Sequence, residues 1–195
     1  MASTELSGQA GGDARRRGCL PAGLARATLR LYTAIWTITL AAAVAVRLAG
    51  PPAWREVRRL LRLALDAHST PVPSAGHVLA LAAHNIPIAA WPLLLGPIGL
   101  PARRPVRWAA DALLIACVCA NTLPVGVALG GYGGLLLPYV PQLPVEYAGL
   151  AVGYGSWLVE RRRPLRRRER LQWGAITALL LICAAMIETF AVPHR

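Results

Sequence analysis

The residues best suited to chemistry in this sequence are a few polar side chains that lie inside long apolar runs. These residues are His84, Asn85, Asn121, Gln142 and Glu146. Polar groups in such runs are costly in lipid, so they point to a buried polar site. We predict that Glu146 meets another of these side chains or a residue of a partner. The alternative is a carboxylate that caps its own helix and has no further role.

Common catalytic and metal-binding motifs do not occur in the sequence. It holds no HExxH, no GxSxG and no GxxxxGK[ST] segment. His77 and His84 would lie about 10.5 Å apart along one helix, too far to bind one ion together with Glu146. The cysteines lack zinc-type spacing and are expected to be small packing residues: Cys19, Cys117, Cys119 and Cys183. We therefore expect a non-enzymatic protein without a cofactor or a metal.

The composition is that of a membrane protein. Of the 195 residues, 55% are hydrophobic and only 15% are charged, against about 25% charged in an ordinary soluble domain. The polar, basic residues 1–28 predict a disordered tail, and residues 29–195 predict one all-α membrane helix bundle. The uncharged runs predict five spans, at about residues 31–46, 78–100, 108–129, 135–159 and 173–192.

Residues 54–68 predict an amphipathic helix between the first two spans. Leu60, Leu61 and Leu65 fall on one helical face, and most of the arginines lie off it. Two interpretations stay open. The helix lies on anionic lipid headgroups, or it is an ordinary loop helix packed on the bundle.

Arginine accounts for all 21 basic residues, and its distribution predicts the orientation. A cytoplasmic N-terminus places fifteen arginines inside and six outside, as the positive-inside rule favours. We expect a multi-pass plasma-membrane protein with its N-terminus inside and its C-terminus outside. The run ERRRPLRRRER at residues 160–170 is expected to contact anionic lipid, and we expect no nucleic-acid binding.

The fourth span is predicted to be broken by proline. Pro138, Pro141 and Pro144 recur every three residues and cannot all lie in one regular helix. A helix that restarts at Pro144 places Glu146 in its first turn, where the helix dipole favours a carboxylate. From residue 145 to 158 this helix rises only about 21 Å. We therefore expect other protein, rather than lipid, to cover the segment.

Single prolines and charged residues lead to further predictions for the second and third spans. Pro87 and Pro92 are expected to interrupt the second span. Asp111 is expected to form a helix-end charge pair with Arg107, one turn away.

Glycines repeat at intervals of four, as Gly126, Gly130 and Gly134 from the end of the third span onward and as Gly149 and Gly153 in the fourth span. Small residues at this spacing let helices approach closely. They predict tight packing, either within the chain or between the copies of a homo-oligomer.

Two segments resemble a known family. LAAHNIPIAAWPLLLG, at residues 81–96, and LPYVPQLPVEYAGLAVGYGSWL, at residues 137–158, resemble the stage II sporulation protein M family of integral membrane proteins. Members carry an asparagine-centred second span and a later Pro-His-Gly-x-x-Glu helix start. Asn85 matches the first motif. Pro141 and Glu146 match the second motif, whereas Gln142 and Leu143 stand where the family has His and Gly.

This resemblance implies a non-enzymatic anchor or scaffold that positions other membrane or cell-wall-associated proteins, such as factors that remodel peptidoglycan. The alternative is a transporter-like subunit, since discontinuous helices with buried polar groups form substrate and ion sites. Such a subunit would use the polar site around Glu146.

Overall fold

The computed structural model describes residues 22–66, 73–95 and 104–191. These ranges contain no strand, so the predicted all-α fold class is confirmed. A 3₁₀ helix, Gly133–Tyr139, follows α4 directly. The α-helices are α1 (Ala22–Leu48), α2 (Pro51–Asp66), α3 (Ala75–Leu95), α4 (Arg104–Tyr132), α5 (Leu143–Glu160) and α6 (Arg167–Ala191).

Four helical segments are long and apolar enough to cross a membrane. They are Gly23–Leu48, Ala75–Leu95, Arg104–Tyr139 and Arg167–Ala191. The chain is therefore a multi-pass membrane protein. The remaining predicted span corresponds to α5, whose 18 residues rise about 27 Å and which is not among these four segments.

Contacts between the helices give their directions. Gly155 of α5 lies against Thr28 of α1, and Trp157 of α5 donates a hydrogen bond to Asp111 of α4. The end of α5 therefore meets the first turns of α1 and α4. We call this the arginine end of the bundle (residues 22–30, 104–111 and 157–170). The opposite end is the proline end (residues 46–60, 73–77 and 133–146).

α5 forms the centre of the bundle. Thirteen of its 18 residues are buried, and it packs against α1, α3 and α6. Tyr147, Tyr154 and Trp157 are at most 1% exposed. The ring of Tyr147 meets Trp36 of α1 edge to face, with the ring centroids 5.0 Å apart. This burial agrees, for the part of the segment that lies in α5, with the expectation that protein covers it, whereas no residue of the 3₁₀ helix Gly133–Tyr139 is buried.

The first helix is longer than predicted. α1 begins at Ala22, so residues 22–28 are helical and do not belong to the tail. Leu24 is 1% exposed and packs with Val159 and Trp173, so the first turn of α1 contributes to the hydrophobic core. Residues 1–21, 67–72, 96–103 and 192–195 lie outside the described ranges, and with them most of the predicted tail.

The predicted start of the fourth span at residue 135 is wrong. The 3₁₀ helix Gly133–Tyr139 follows α4 after a turn at Gly133, whose φ is 61°, and α5 begins only at Leu143. The next helix also starts earlier than predicted, at Arg167 rather than residue 173. The Glu169 side chain accepts a hydrogen bond from the backbone N–H of Arg166 at 2.8 Å. This bond satisfies a donor at the helix start, so charged residues can form the first turn of α6.

The predicted interruption of the second span is also wrong, because α3 remains one helix through Pro87 and Pro92. Pro92 has no N–H for the carbonyl oxygen of Ile88, four residues earlier. The Tyr154 hydroxyl of α5 donates to that oxygen at 3.2 Å. A neighbouring helix thus supplies the donor that the proline lacks.

The amphipathic helix α2 packs on the proline end of the bundle. Trp54 Nε1 donates to the Val46 carbonyl oxygen of α1 at 2.9 Å. Arg58 Nε donates to the Gly131 carbonyl oxygen of α4, also at 2.9 Å. These bonds support the interpretation that α2 is a helix packed on the bundle. Contact of its exposed face with lipid stays a prediction.

Candidate functional site

The proline-rich segment positions Glu146 by ending one helix and starting another. The 3₁₀ helix stops at Tyr139, and Gln142 is the N-cap of α5. Pro144 lies in the first turn of α5, where its missing N–H has no intrahelical partner to lose. Glu146 occupies the same turn, and its backbone N–H donates to the Gln142 carbonyl oxygen at 3.0 Å. The helix restart predicted from the proline spacing is thus present in the structure.

Glu146 lies within electrostatic range of a carboxyl group from another helix. Its half-buried side chain interacts with Glu188, near the end of α6. Glu188 interacts in turn with His77, in the first turn of α3. These three groups therefore form a chain of electrostatic interactions across three helices. They do not form a metal-binding group, and the described ranges contain no such group.

Gln142 adds a buried amide to this region. The residue is 8% exposed, and its Nε2 donates to the Tyr139 carbonyl oxygen at 3.5 Å. Its Oε1 is buried and has no hydrogen-bond partner in the described chain. An unpaired buried acceptor costs about 1–3 kcal/mol. The segment thus contains one buried acceptor, Gln142 Oε1, for which the described part of the chain provides no hydrogen-bond donor.

The structure does not bring His84, Asn85 and Asn121 into contact with Glu146. His84 is exposed, because α3 turns other residues toward the core. Asn85 is half-buried, and Asn121 Nδ2 donates to the Cys117 carbonyl oxygen of its own helix at 2.7 Å. None of the three is hydrogen-bonded to Glu146 in the part of the chain that the structure describes. The electrostatic neighbour of Glu146 is instead Glu188.

A hydrogen bond between Thr39 and Tyr147 joins α1 to α5, next to Glu146. The Thr39 hydroxyl lies 3.0 Å from the Ile35 carbonyl oxygen, to which it donates. Thr39 Oγ1 also lies 3.1 Å from the Tyr147 hydroxyl. Since a threonine hydroxyl has a single hydrogen, Tyr147 is the donor of this second bond. The pair fixes the first turns of α5 against the middle of α1.

Two of the predicted packing glycines lie between α4 and α1. A Cβ atom added at Gly126 would overlap the Thr39 carbonyl oxygen. A Cβ atom at Gly130 would lie 2.7 Å from the Ala43 carbonyl oxygen and 2.7 Å from Val46 Cβ. The spacing of four therefore brings these two backbones together within one chain.

The other two packing glycines lie on α5. A Cβ atom at Gly149 would lie 2.9 Å from Leu181 Cδ2 of α6, and one at Gly153 would overlap the Ala89 carbonyl oxygen of α3. Glycine is thus required where α5 approaches the backbone of α3. These contacts also lie within the chain.

A polar cluster that the sequence pattern does not predict lies at the arginine end. Asp111 Oδ1 accepts a hydrogen bond from Trp157 Nε1 at 2.8 Å, and Asp111 Oδ2 pairs with Arg161 at 3.2 Å. The predicted pairing of Asp111 with Arg107 is therefore wrong. The end of α5 lies across the first turns of α4, so the nearer cation comes from a distant part of the sequence. No local spacing signals this contact.

Carboxylates also order the loop between α5 and α6. Glu160 is 7% exposed and accepts bonds from Arg170, at 2.7 Å, and from the Leu165 backbone N–H, at 3.2 Å. Arg163 donates two bonds to Glu169, at 3.0 and 2.8 Å. This hydrogen bonding raises the pKa of Arg163 above its ordinary value. Much of the basic run is therefore held by internal partners.

No family model, curated protein or solved structure matches the chain. The resemblance to the stage II sporulation protein M family therefore stays a prediction, and the geometry of the chain is the basis for the functional proposals.

Proposed function

We propose that this protein is a non-enzymatic membrane scaffold that positions partner proteins at the plasma membrane. The observation that carries the proposal is the close packing around α5. Thirteen of its 18 residues are buried, and its backbone touches that of α3 at Gly153. Helices packed this closely hold the two ends of the bundle at fixed relative positions, as a scaffold requires.

The proline end provides the surface for a partner. α4 alone, with its 29 residues, is about 44 Å long, whereas the hydrocarbon layer is about 30 Å thick. A tilt of about 40° still leaves a length of about 33 Å across the membrane. The 3₁₀ helix, which turns away from α4 at Gly133 with a φ of 61°, therefore begins at the edge of the hydrocarbon, and it carries Leu135 and Leu137, 70% and 64% exposed. A membrane or cell-wall-associated protein that covers these side chains is the proposed partner.

The proposed orientation follows from the arginines. The arginine end contains the first turns of α1, α4 and α6, and positive charge favours the cytoplasmic side. The N-terminus is then cytoplasmic, and the proline end and the C-terminus are extracytoplasmic. A reporter fused to the C-terminus and detected only in the cytoplasm would contradict this orientation.

Site-specific photo-crosslinking in intact membranes tests the scaffold. The crosslinker is placed at Leu137 of the proline end and, as the matched control, at Leu171, which directly follows the arginine end on α6 and is 66% exposed. We expect Leu137 to give a discrete protein adduct, identified by mass spectrometry, and Leu171 to give none. Adducts with lipid alone at both positions would contradict the proposal.

The second candidate function is a transporter-like subunit. It is favoured by the neighbouring carboxyl groups of Glu146 and Glu188 and by the unpaired amide oxygen of Gln142. Proton uptake into proteoliposomes, followed with a pH-sensitive dye, separates the two functions. Uptake that Glu146→Gln abolishes without changing the melting temperature would support transport. A scaffold shows no uptake, and Glu146→Gln instead weakens the Leu137 crosslink or lowers the amount of folded protein.

A further inference from the structure

Two grooves flank the last turn of α5 at the arginine end. The first has a volume of about 320 Å³ and lies between α5 and α1. Its lining includes Arg26, Arg30, Leu158, Val159, Arg162 and Arg163. The second has a volume of about 310 Å³, lies between α5 and α4, and is lined by Arg107, Leu158, Arg161 and Arg162. Leu158 and Arg162 belong to both grooves.

Several of the lining arginines have internal carboxylate partners. Arg161 pairs with Asp111 at 3.2 Å, and Arg163 pairs with Glu169 at 2.8 Å.

Three lining arginines remain uncompensated. Arg30, Arg107 and Arg162 form no ion pair with any residue in the described ranges. They come from α1, from α4 and from the turn that follows α5. The grooves therefore carry net positive charge that a bound anion would neutralise.

The surroundings of the grooves are apolar. Leu158 and Val159 contribute hydrocarbon to the lining. Beside the arginines, Leu29 and Trp108 are 64% and 75% exposed. A tryptophan next to basic residues at the end of a span is typical of the membrane–water interface. The ligand that fits this setting has an anionic head in the groove and an apolar tail along the helices.

We propose that these grooves bind the phosphate headgroups of anionic phospholipid. Arg162 contacts the phosphate together with Arg30 in the first groove and together with Arg107 in the second. Guanidinium groups suit this role because their paired N–H donors match the oxygens of a phosphate. Basic pockets between spans are the expected sites for anionic headgroups. The proposal concerns lipid only and does not depend on the scaffold function or on any partner protein.

Titration of the purified full-length protein with phosphatidylglycerol, followed by native mass spectrometry, tests the proposal. The variant is the double substitution Arg30→Gln and Arg162→Gln. Its matched control is Arg167→Gln with Arg168→Gln, which removes the same charge from exposed positions at the same end. We expect the first variant to bind lipid about 30-fold more weakly, because each of the two guanidinium groups loses its hydrogen bonds to the bound phosphate. The control binds with nearly the affinity of the wild type.

Further measurements distinguish an anionic lipid headgroup from other lipids and from free phosphate as the ligand. Phosphatidylcholine that binds as well as phosphatidylglycerol would overturn the proposal, and so would equal weakening in the control. Inorganic phosphate that displaces the lipid at equal concentration would show that a free anion is the ligand. If the double variant fails to fold, Arg107→Gln replaces it. This variant is expected to weaken lipid binding about fivefold, and unchanged binding would contradict the proposal.

Discussion

Replacing Asp111 with alanine tests how the arginine end is held together. The substitution removes the acceptor of the Trp157 Nε1 hydrogen bond, 2.8 Å long, and the partner of Arg161 at 3.2 Å. Trp157 is 0% exposed, so water does not replace the lost acceptor. The side chains of Arg161 and Asp111 are 36% and 31% exposed, so solvent screens the ion pair.

These two contacts give the expected magnitude. A buried donor without a partner costs about 1–3 kcal/mol, and a partly exposed ion pair contributes about 0–1 kcal/mol. We therefore expect Asp111→Ala to lower the free energy of unfolding by about 1–4 kcal/mol. Asp111→Asn keeps an oxygen that accepts the Trp157 bond and loses only the ion pair. Its expected cost is about 1 kcal/mol or less.

Reversible unfolding by sodium dodecyl sulfate in mixed micelles, followed by circular dichroism, measures these values. The same substitution is repeated in a Trp157→Phe background, where the donor is absent. There Asp111→Ala is expected to cost no more than about 1 kcal/mol, the share of the ion pair.

Two results would refute this reasoning. One is an equal loss of stability for Asp111→Ala and Asp111→Asn. The other is the same cost of Asp111→Ala with and without Trp157. Either would show that the buried hydrogen bond contributes nothing measurable.

The same unfolding assay checks two further predictions. Gly153→Ala forces a methyl group against a backbone oxygen of α3 and is expected to cost about 3 kcal/mol. Gly134→Ala, which would meet nothing within 4 Å, leaves stability nearly unchanged; equal effects would contradict the packing argument. Tyr154→Phe removes the donor to the Ile88 carbonyl oxygen, and its expected cost is about 1–2 kcal/mol. That cost should be smaller in a Pro92→Ala background, where a backbone N–H is available; an unchanged cost would contradict the proposed role of the hydroxyl.

Features that depend on neighbours in the sequence were predictable. The proline spacing indicated that a new helix begins near Pro144 and places Glu146 in its first turn, as α5 does. Alternation of apolar and basic residues indicated α2, and the long apolar runs indicated the spans. In each case the deciding interaction lies within a few residues: a missing N–H, a helical face or the cost of charge in lipid.

Features that depend on how the helices turn toward one another were not predictable. Asp111 pairs with Arg161, fifty positions later, rather than with Arg107 on its own helix. α3 stays continuous because a hydroxyl from α5 bonds the carbonyl oxygen that Pro92 leaves unpaired.

The sequence by itself determined that this chain forms apolar helices, where α5 starts and which end is basic, since propensity, proline chemistry and charge act along the chain. Only the tertiary structure decided that α5 packs against α1, α3 and α6, that Glu188 lies within electrostatic range of Glu146, and that His84 is exposed on α3. The physical reason is that the rotation of each helix follows from packing against several others at once. No single segment of sequence encodes that rotation.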